Sequence, residues 1–521
     1  MKLNALTTAW VKHLILILSA VFAVACGNGE STKQTGSGDA QKKNSPTQSH
    51  VNTPVQTQPE EPQIEEEILK ISPQETLRTL LSTQQIEPMV DSDFRKHSEA
   101  KIRLGQMLFF DRILSGNRTT SCATCHIADR GTVDGFALPI DPASRGLVRR
   151  LVRPATADFV PRNTIGISNI GHKSFKAMFH DSRVAVDPNS PSGFSTPAGG
   201  ETPMGLDSVV AAQSLFPLLA ENEMLGAPGE NDLSSLESSS AIWHRILDRV
   251  LSYREYRKLF YQAYPLQDPG SYGIEHLANA LAAYEETAFR SDKSRFDSFL
   301  KGNDRALSPL QLEGALVFYS NKRCSGCHAG VLQTNHAHFA IGIPQFGPGK
   351  GDGINGLEDF GRGRVTGLAA DMYKFRVPSL RNVALSAPYG HSGAYTKIES
   401  YIKHYRNPAE GLSTWDPSQV QLQSKKFPRD FFEAWRNPQI RQNLVDANQI
   451  PGIPLTDAEV KALAAFLTAL NDDRFATVSM RPMHVPSGKR DFLGFLSNLN
   501  NTLNEQIRIN LPIDLDIKFF D

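Results

Sequence analysis

The chain has 521 residues, with 55 basic and 55 acidic side chains, so its formal net charge is zero. Nucleic-acid binding relies on a basic surplus, and this balance argues against nucleic acid as the main partner. Hydrophobic residues make up 40% of the chain, which is typical of a globular protein. No apolar run reaches the ~20 residues of a membrane-spanning helix, and five cysteines in this length exclude a disulfide scaffold.

The N-terminus has the pattern of an export signal. Lys2 and Lys12 precede the apolar stretch 14–24, and small residues then lead into Cys26. A Cys directly after Ala-Val-Ala resembles a bacterial lipoprotein box. We therefore predict that residues 1–26 are a lipoprotein signal peptide, that Cys26 is lipidated, and that the protein is exported to the periplasm or cell surface. The alternative is an ordinary signal peptide with a chance Cys.

The segment 27–70 has a composition that does not favour a folded core. It is rich in Gly, Ser, Thr, Gln, Asn, Lys and Pro and ends in clusters of Glu. Such a segment buries too little apolar surface to offset the entropy lost on folding. We predict a disordered tether between a lipid anchor in the membrane and the folded body.

The four remaining cysteines fall into two Cys-x-x-Cys-His motifs. Their residues are Cys122, Cys125 and His126 in the first motif and Cys324, Cys327 and His328 in the second. In c-type haem attachment the two thiols bond to the porphyrin vinyl groups and the adjacent His ligates the iron. A four-thiolate zinc site and a redox dithiol are the alternatives. Zinc would not require a His after each pair, and the pairs lie about 200 residues apart. The motifs therefore predict two covalently bound haems c.

Hydrophobic periodicity predicts a mainly α fold with long loops and little β structure. In chain order, the predicted helices span about 94–110, 241–259, 274–288, 309–318 and 456–470. A helix precedes each haem motif and another closes each unit, which is the cytochrome c plan repeated twice. We predict two cytochrome c-like domains, 71–303 and 304–475. Residues 476–521 are an extension of unknown role with a strand-like stretch at 507–517.

An ordered set of further motifs resembles one family over roughly residues 95–475. The set comprises LGQMLFFDRILSGNRTTSCATCH at 104–126, PRNT at 161–164, FHDSR at 179–183, Gln213-x3-Pro217-x5-Glu223-Met224, YKFRVPSLRNVALSAPYGHSG at 373–393, and a final LTDAEVKALAAFLTAL helix. Together these motifs resemble the bacterial di-haem cytochrome c peroxidase family, which includes the di-haem enzyme that matures methylamine dehydrogenase.

The resemblance implies that the N-terminal haem, with His126 as its proximal ligand, is the peroxidatic one. Its open face would be lined by Gln213 and Glu223, ten residues apart. Heterolytic cleavage of hydrogen peroxide requires a proton to move from the near oxygen to the leaving oxygen, and a carboxylate above the iron can perform both transfers. The alternative for Glu223 is a solvated surface residue beside Glu221.

The resemblance also implies that the C-terminal haem, held by His328, is the electron-transfer site. The far ligand is usually a Met about fourteen residues after the His of a Pro-Tyr-x-His motif, and here His391 leads to Tyr405. Tyr fills this role in the maturation enzyme, and such a hard, anionic donor favours ferric iron. His404 and Met372 are the alternative ligands.

Two departures from the family pattern bear on mechanism. No His occurs between His126 and His172, where the peroxidases often carry a displaceable ligand, which favours a haem that is open without reductive activation. His172 is a substitute ligand or a surface residue. His180 stands where the family has a Trp between the haems, and an imidazole stabilises a radical cation poorly, so long-range hole sharing is in doubt.

Family members also bind one calcium ion through an Asn side chain and two backbone carbonyls. The matching residues are Asn163, Ser386 and Pro388, and calcium prefers such oxygen donors. The segment 407–452 is longer than the usual family connection and contains Trp415 and Trp435. These indoles either shape a partner or substrate surface or pack in a core or lid.

The sequence thus predicts an anchored di-haem peroxidase that reduces hydrogen peroxide to water. Electrons from a small donor protein, a cytochrome c or a cupredoxin, would enter at the C-terminal haem. One alternative is an oxidative maturation enzyme acting on a protein substrate, and another is a non-catalytic electron-transfer cytochrome. By analogy with the family, a homodimer is expected.

Overall fold

The computed structural model describes residues 71–140, 159–320, 324–423, 427–476 and 482–488. The predicted signal peptide with Cys26, the tether and most of the C-terminal extension, including 507–517, lie outside these ranges. Within the described ranges, no helix combines the length and apolarity needed to cross a bilayer.

Helices carry most of the described fold. In chain order they are α1 Pro73–Thr83, α2 Glu99–Phe110, α3 Val209–Ser214, α4 Ser239–Leu251, α5 Arg254–Ala263, α6 Ile274–Ala288, α7 Arg295–Leu300, α8 Pro309–Tyr319, α9 Ile398–His404, α10 Pro408–Ser413, α11 Pro438–Ala447 and α12 Asp457–Thr468. Single helical turns lie at Cys122–Cys125, Gly363–Thr366 and Glu433–Arg436. The prediction of a mainly α fold with long loops is confirmed.

The β structure is limited to two small antiparallel sheets. Strands β1 Ala177–Met178, β2 Val184–Val186 and β3 Phe194–Ser195 pair in sequence order. Strands β4 His338–Phe339 and β5 Phe375–Arg376 form the second sheet. Both sheets contribute residues to the wall of the large cavity described below, among them Met178 and Phe375.

The first helix pair, α2 and α6, crosses at a glycine. The Ser98 hydroxyl accepts from the Lys101 backbone amide and starts α2. A Cβ on Gly105 would lie 1.8 Å from the Ala280 carbonyl oxygen of α6, so only glycine allows this approach. The buried apolar faces of the two helices then join one core with α3, α4 and α5.

The second half of the chain repeats this arrangement. The capping box of Ser308 and Gln311 starts α8, and that of Thr456 and Glu459 starts α12. A Cβ on Gly314 of α8 would lie 1.9 Å from the Ala462 carbonyl oxygen of α12. The repeated helix crossing is the arrangement expected of two cytochrome c units. The domain boundaries at 303 and 475 remain a prediction.

Three predicted helices differ from the observed ones. The helix expected from Phe94 begins at Glu99, because Phe94 itself is extended. The single helix expected over 241–259 is two helices, because Tyr253 has an extended backbone with ψ of 125° and the chain turns there. The final helix ends at Thr468 rather than near residue 470. Periodicity locates an apolar face, but it does not detect a break when the apolar spacing continues across it.

The long segment 407–452 packs through its aromatic rings. Trp415 is buried and stacks on Phe346 with ring centroids 5.3 Å apart. Phe431 and Phe432 extend this core toward Phe159. Packing in a core is therefore part of the role of Trp415.

Candidate functional site

Both haem motifs open into a single cavity. Its volume is about 960 Å³, and all four motif cysteines and both motif histidines line it. The first motif begins with the helical turn Cys122–Cys125, in which two residues separate the thiols and His126 follows. The four cysteines are not joined by disulfide bonds. Two sets of thiols and an imidazole on the walls of one mainly apolar cavity fit two covalently attached porphyrins.

The two motif histidines are held in the same way. His126 Nδ1 lies 3.0 Å from the Thr132 carbonyl oxygen, and His328 Nδ1 lies 3.0 Å from the Gln333 carbonyl oxygen. Burial lowers the pKa of both imidazoles, that of His328 to about 4, so both are neutral. A neutral imidazole that donates Nδ1–H to a carbonyl keeps the Nε2 lone pair free for a metal.

Glu223 and Gln213 both reach this cavity. Gln213 lies near the end of α3, and a π-helical turn at Glu221–Leu225 carries Glu223. That turn leaves Glu221 exposed, whereas Glu223 is half-buried and the surface it exposes faces the cavity. Burial raises the pKa of Glu223, and the nearby positive charges of Arg183 and Lys350 partly oppose this shift. The structure therefore brings together the Gln and Glu that the sequence pattern singled out.

Arg162, which lines the cavity, belongs to a buried ion-pair network. Arg162 Nη1 lies 2.6 Å from Asp181 Oδ2, and Arg162 Nε lies 2.6 Å from Asp359 Oδ2. Although burial opposes their ionisation, the guanidinium holds the pKa of Asp181 at about 2 and that of Asp359 well below its usual range. Sequence reasoning missed Asp359, which lies 197 residues from Arg162.

Two further buried imidazoles, of His180 and His391, line the cavity. His180 Nε2 lies 3.1 Å from the Asn163 carbonyl oxygen, and burial lowers its pKa to about 4. His391 stacks on Phe375 with ring centroids 3.7 Å apart, and burial lowers its pKa to about 3. Both rings are therefore neutral near pH 7. In the sequence, His391 was used only to locate Tyr405, and its position in the cavity wall was not predicted.

Tyr405 lies at the second haem motif. It lines the cavity and interacts electrostatically with Cys324 and Cys327, and its phenol is hydrogen-bonded to Tyr401. Burial raises the pKa of this phenol well above its usual range.

The two alternative ligands lie elsewhere. His404 has both ring nitrogens engaged, Nδ1 at 2.9 Å from the Tyr395 hydroxyl and Nε2 at 2.6 Å from the Ile341 carbonyl oxygen. Met372 packs against a separate apolar cluster. Of the three residues weighed from the sequence, only Tyr405 faces the cavity, so the geometry favours it over His404 and Met372.

Two of the three residues matched to a calcium site, Asn163 and Pro388, are in contact. Asn163 Nδ2 donates to the Pro388 carbonyl oxygen at 2.7 Å, and Ser386 and Pro388 both line the cavity. Asn163 Oδ1 is buried and has no hydrogen-bond partner among the described residues. An unpaired amide oxygen beside a backbone carbonyl fits an oxygen-seeking cation. Clusters of three or more His, Cys, Asp or Glu suited to a metal are absent from the described ranges.

His172 is not a surface residue, which corrects one sequence expectation. It is buried, with Nδ1 2.9 Å from the Ser174 hydroxyl and Nε2 3.8 Å from Asp93 Oδ2. It lines a separate cavity of about 320 Å³ rather than the one that carries the haem motifs. The expectation of a surface position was wrong because the chain around 159–175 folds back against the first core.

The fold and the cavity define a c-type cytochrome with two haem attachment sites. A family model described as di-haem cytochrome c peroxidase matches residues 99–305. The cytochrome c551 peroxidase of Pseudomonas aeruginosa is 30% identical over 309 residues, which cover 58% of this chain and 71% of that protein. The chain belongs to the di-haem cytochrome c peroxidase family and is an oxidoreductase of that family.

Further relatives include both cytochrome c peroxidases and methylamine utilization proteins. The methylamine utilization protein MauG of Paracoccus denitrificans is 28% identical over 402 residues, covering 73% of this chain and 91% of that protein. Cytochrome c peroxidase Ccp of Escherichia coli is 28% identical, covering 58% of this chain but only 52% of that protein. The crystal structure of a MauG-like protein associated with microbial copper homeostasis superposes with a TM-score of 0.50 at 24% identity, over 76% of this chain and 96% of that one. This structural likeness supports the fold.

Proposed function

We propose that the protein is an exported di-haem peroxidase that reduces hydrogen peroxide to water. One observation carries the proposal: Gln213 and Glu223 face the same cavity as His126. Cys122, Cys125 and His126 would hold the first haem, which would supply the redox chemistry for the reduction of peroxide. The overall reaction consumes one peroxide, two electrons and two protons and releases two waters.

In this proposal Glu223 is the acid and base of the reaction. Its carboxylate accepts the proton from the near peroxide oxygen and returns it to the leaving oxygen, so that a neutral water departs. Burial raises the pKa of this carboxyl, and the positive charges of Arg183 and Lys350 favour its ionised form and partly offset the rise. The Gln213 amide donates a hydrogen bond that orients the peroxide.

The second haem, held by Cys324, Cys327 and His328, is proposed as the site of electron entry. Tyr405 would help to hold this haem, because it faces the cavity whereas His404 and Met372 do not. The donor is proposed to be a small redox protein, a cytochrome c or a cupredoxin. Asn163, with the carbonyls of Ser386 and Pro388, is the proposed calcium site.

The place of the protein in the cell is also a proposal. The signal pattern before Cys26 supports export to the periplasm or cell surface with a lipid anchor in the membrane. A homodimer is the expected assembly by analogy with the family. Radiolabelled palmitate incorporation that is lost in Cys26→Ser tests the anchor, and light scattering of the purified protein tests the assembly.

Oxidative maturation of a protein substrate is the second candidate function. Tyr405 at the cavity favours it, as does the alignment along 91% of the Paracoccus MauG. Peroxide added to the holoprotein with and without a donor separates the candidates. Steady turnover with a reduced cytochrome or dye supports the peroxidase, and a long-lived oxidised protein without fast donor turnover supports maturation. No reaction with peroxide supports a simple electron carrier and overturns both.

A further inference from the structure

The smaller cavity, which His172 lines, shares a wall with the cavity that carries the haem motifs. Its volume is about 320 Å³, and Ile170 and Phe175 line both cavities. Both of these side chains are buried, so at this point one layer of side chains separates the two spaces. The proposed reaction with peroxide assigns no role to the smaller cavity.

Aromatic and branched side chains form the apolar part of the smaller cavity. Its lining includes the phenyl rings of Phe94, Phe175 and Phe194 and the side chains of Val209 and Val210. Sites for small molecules measure about 300–1,000 Å³, and a cavity at the lower end of this range accommodates one substituted ring. Phenyl walls favour an aromatic ring through edge and face contacts. The size and the lining therefore indicate a small monocyclic aromatic ligand.

One polar position in this cavity has no hydrogen-bond partner among the described residues. The His172 ring is buried, and its Nδ1 accepts from the Ser174 backbone amide at 3.2 Å, so the neutral ring carries its proton on Nε2. Burial lowers the pKa of His172, which keeps the ring neutral near pH 7. Nε2 lies 3.8 Å from Asp93 Oδ2, too far for a direct hydrogen bond. A ligand hydroxyl about 2.8 Å from each atom would accept from Nε2–H and donate to Oδ2.

The other carboxylate of this lining is already engaged. Glu286 Oε2 lies 2.8 Å from His97 Nε2, and Glu286 Oε1 accepts from the Ser208 hydroxyl at 2.8 Å. Both of its oxygens therefore have partners within the protein. The gap between His172 and Asp93 is left as the place for a ligand hydroxyl.

Positive charge lies at the exposed side of the smaller cavity. Arg95, Lys173 and Lys176 belong to its lining and are exposed. Lys173 Nζ pairs with Asp93 Oδ1 at 2.7 Å, whereas no carboxylate of the described residues pairs with Arg95 or Lys176. A cleft with such a rim attracts an anionic group. A carboxylate on the ligand ring would therefore lie at this rim, with the hydroxyl inside.

We propose that the smaller cavity binds a phenolic acid, a benzene ring with a hydroxyl and a carboxylate substituent, as a second electron donor of the peroxidase. The hydroxyl lies between His172 and Asp93, the ring lies against Phe175, and the carboxylate lies near Lys176. The electron crosses the wall that Phe175 shares with the haem cavity. This inference rests on the proposed reduction of hydrogen peroxide, which supplies the oxidising equivalents.

The electrons and protons of this oxidation balance. Each phenol loses one electron across the wall, and its O–H bond breaks as Asp93 Oδ2 accepts the proton. Asp93 then releases the proton to water at the exposed side of the cavity. Two phenols supply two electrons, and two protons from solvent complete the two waters that form when the O–O bond of one peroxide breaks. The two phenoxyl radicals leave and couple to each other.

Calorimetric titration of the holoprotein with 4-hydroxyphenylacetate, without peroxide, tests the site. We expect one molecule to bind per chain, and phenylacetate, which lacks the hydroxyl, should bind at least fivefold more weakly. Lys176→Glu should weaken the binding of 4-hydroxyphenylacetate at least fivefold but that of the neutral 4-hydroxyphenylethanol less than twofold. Lys258 is exposed and lies outside the cavity lining, so Lys258→Glu is the matched control and should bind as the wild type does. No binding, or equal weakening by the two variants, overturns the site.

Peroxide-dependent oxidation of 4-hydroxyphenylacetate gives a second readout. Coupled phenols, measured by liquid chromatography, should form with the wild-type holoprotein, and Lys176→Glu should raise KM at least fivefold. Asp93→Asn should lower kcat at least tenfold, because an amide does not accept the phenolic proton. An unchanged haem absorption spectrum and thermal unfolding midpoint establish that both variants fold.

The outcomes separate the donor site from the proposed function. Oxidation of the phenol that neither variant alters overturns the donor site. Turnover of peroxide with a reduced cytochrome but none with the phenol overturns the donor role alone. No turnover with either donor overturns the proposed function and the donor role together, and the binding titration, which needs no peroxide, then still decides whether the cavity takes a phenolic acid.

Discussion

At the scale of single residues, the proposed chemistry depends on the carboxyl of Glu223. Replacing it by Gln keeps the side-chain size but removes the proton carrier, and general acid–base catalysis contributes about 10²–10⁴-fold to a rate. We expect Glu223→Gln to lower kcat/KM for hydrogen peroxide at least tenfold in a stopped-flow assay. Glu221→Gln, an exposed carboxyl on the same helical turn, is the control and should leave the rate unchanged. Equal rates for the two variants would reject the role of Glu223.

The same carboxyl predicts a pH dependence. Glu223 must be ionised to accept a proton, and burial raises its pKa. The rate of reaction with peroxide should therefore fall as the pH drops through that raised pKa, above the value of about 4.3 that is usual for Glu. The Glu223→Gln variant should lack this acidic limb. An identical limb in both proteins, measured as kcat/KM between pH 4 and pH 8, would assign the titration to another group.

At the scale of helices, two glycines fix how close the paired helices approach. A Cβ on Gly105 or Gly314 would meet a backbone carbonyl of the partner helix, which cannot move aside as a flexible side chain can. We expect Gly105→Ala and Gly314→Ala each to lower the free energy of unfolding by about 1–3 kcal/mol or more, measured by denaturant titration. The control is Gly200→Ala, where the added methyl meets open space. If Gly314→Ala lowers the free energy of unfolding no more than Gly200→Ala does, the close contact between α8 and α12 is contradicted.

The loop and turn elements were less predictable than these helices. The capping boxes at Ser308 and Thr456 mark α8 and α12 in the sequence, since the cap and its partner lie three residues apart. The π-helical turn that carries Glu223 has no such local signal. Its geometry depends on the packing of Met224 and Leu225 into the first core, which no local spacing shows.

At the scale of the whole molecule, Arg162 ties together distant parts of the chain through Asp181 and Asp359. Removing the guanidinium leaves two buried carboxylates without their counter-charge, which costs about 3–5 kcal/mol. We expect Arg162→Gln to lower the free energy of unfolding by that amount. Arg78→Gln, which breaks the exposed pair with Asp304, should cost less than about 1 kcal/mol. Similar costs for the two variants would contradict the buried network.

This network also predicts loss of stability in acid. The Arg162 guanidinium lowers the pKa of Asp181 from 3.8 to about 2, so its contribution is complete above pH 3.8. That contribution should be lost as the pH falls from 3.8 to about 2, because the unfolded chain binds the proton first. Arg162→Gln should show a smaller loss over the same range in thermal unfolding. An equal loss would place the acid sensitivity elsewhere.

The proposed calcium ion would also connect distant parts of the chain. Asn163 and Pro388 come from separate parts of the chain and meet at one hydrogen bond, beside an unpaired amide oxygen. We expect the purified holoprotein to retain about one calcium per chain after gel filtration, and Asn163→Ala to retain none, as measured by atomic emission. Removing calcium with EGTA should lower the thermal unfolding midpoint of the wild type only. Calcium absent from the wild type would reject the site.

The sequence by itself determined the features that are local: the two Cys-x-x-Cys-His motifs, the capped helices and the ordered motifs that identify the family. It also singled out Gln213 and Glu223, because their spacing is part of a motif. Only the tertiary structure decided which of Tyr405, His404 and Met372 faces the cavity, that His172 is buried, and that Asp359 pairs with Arg162. These outcomes depend on contacts between residues far apart in the chain, where burial and charge are set by packing rather than by neighbours in sequence.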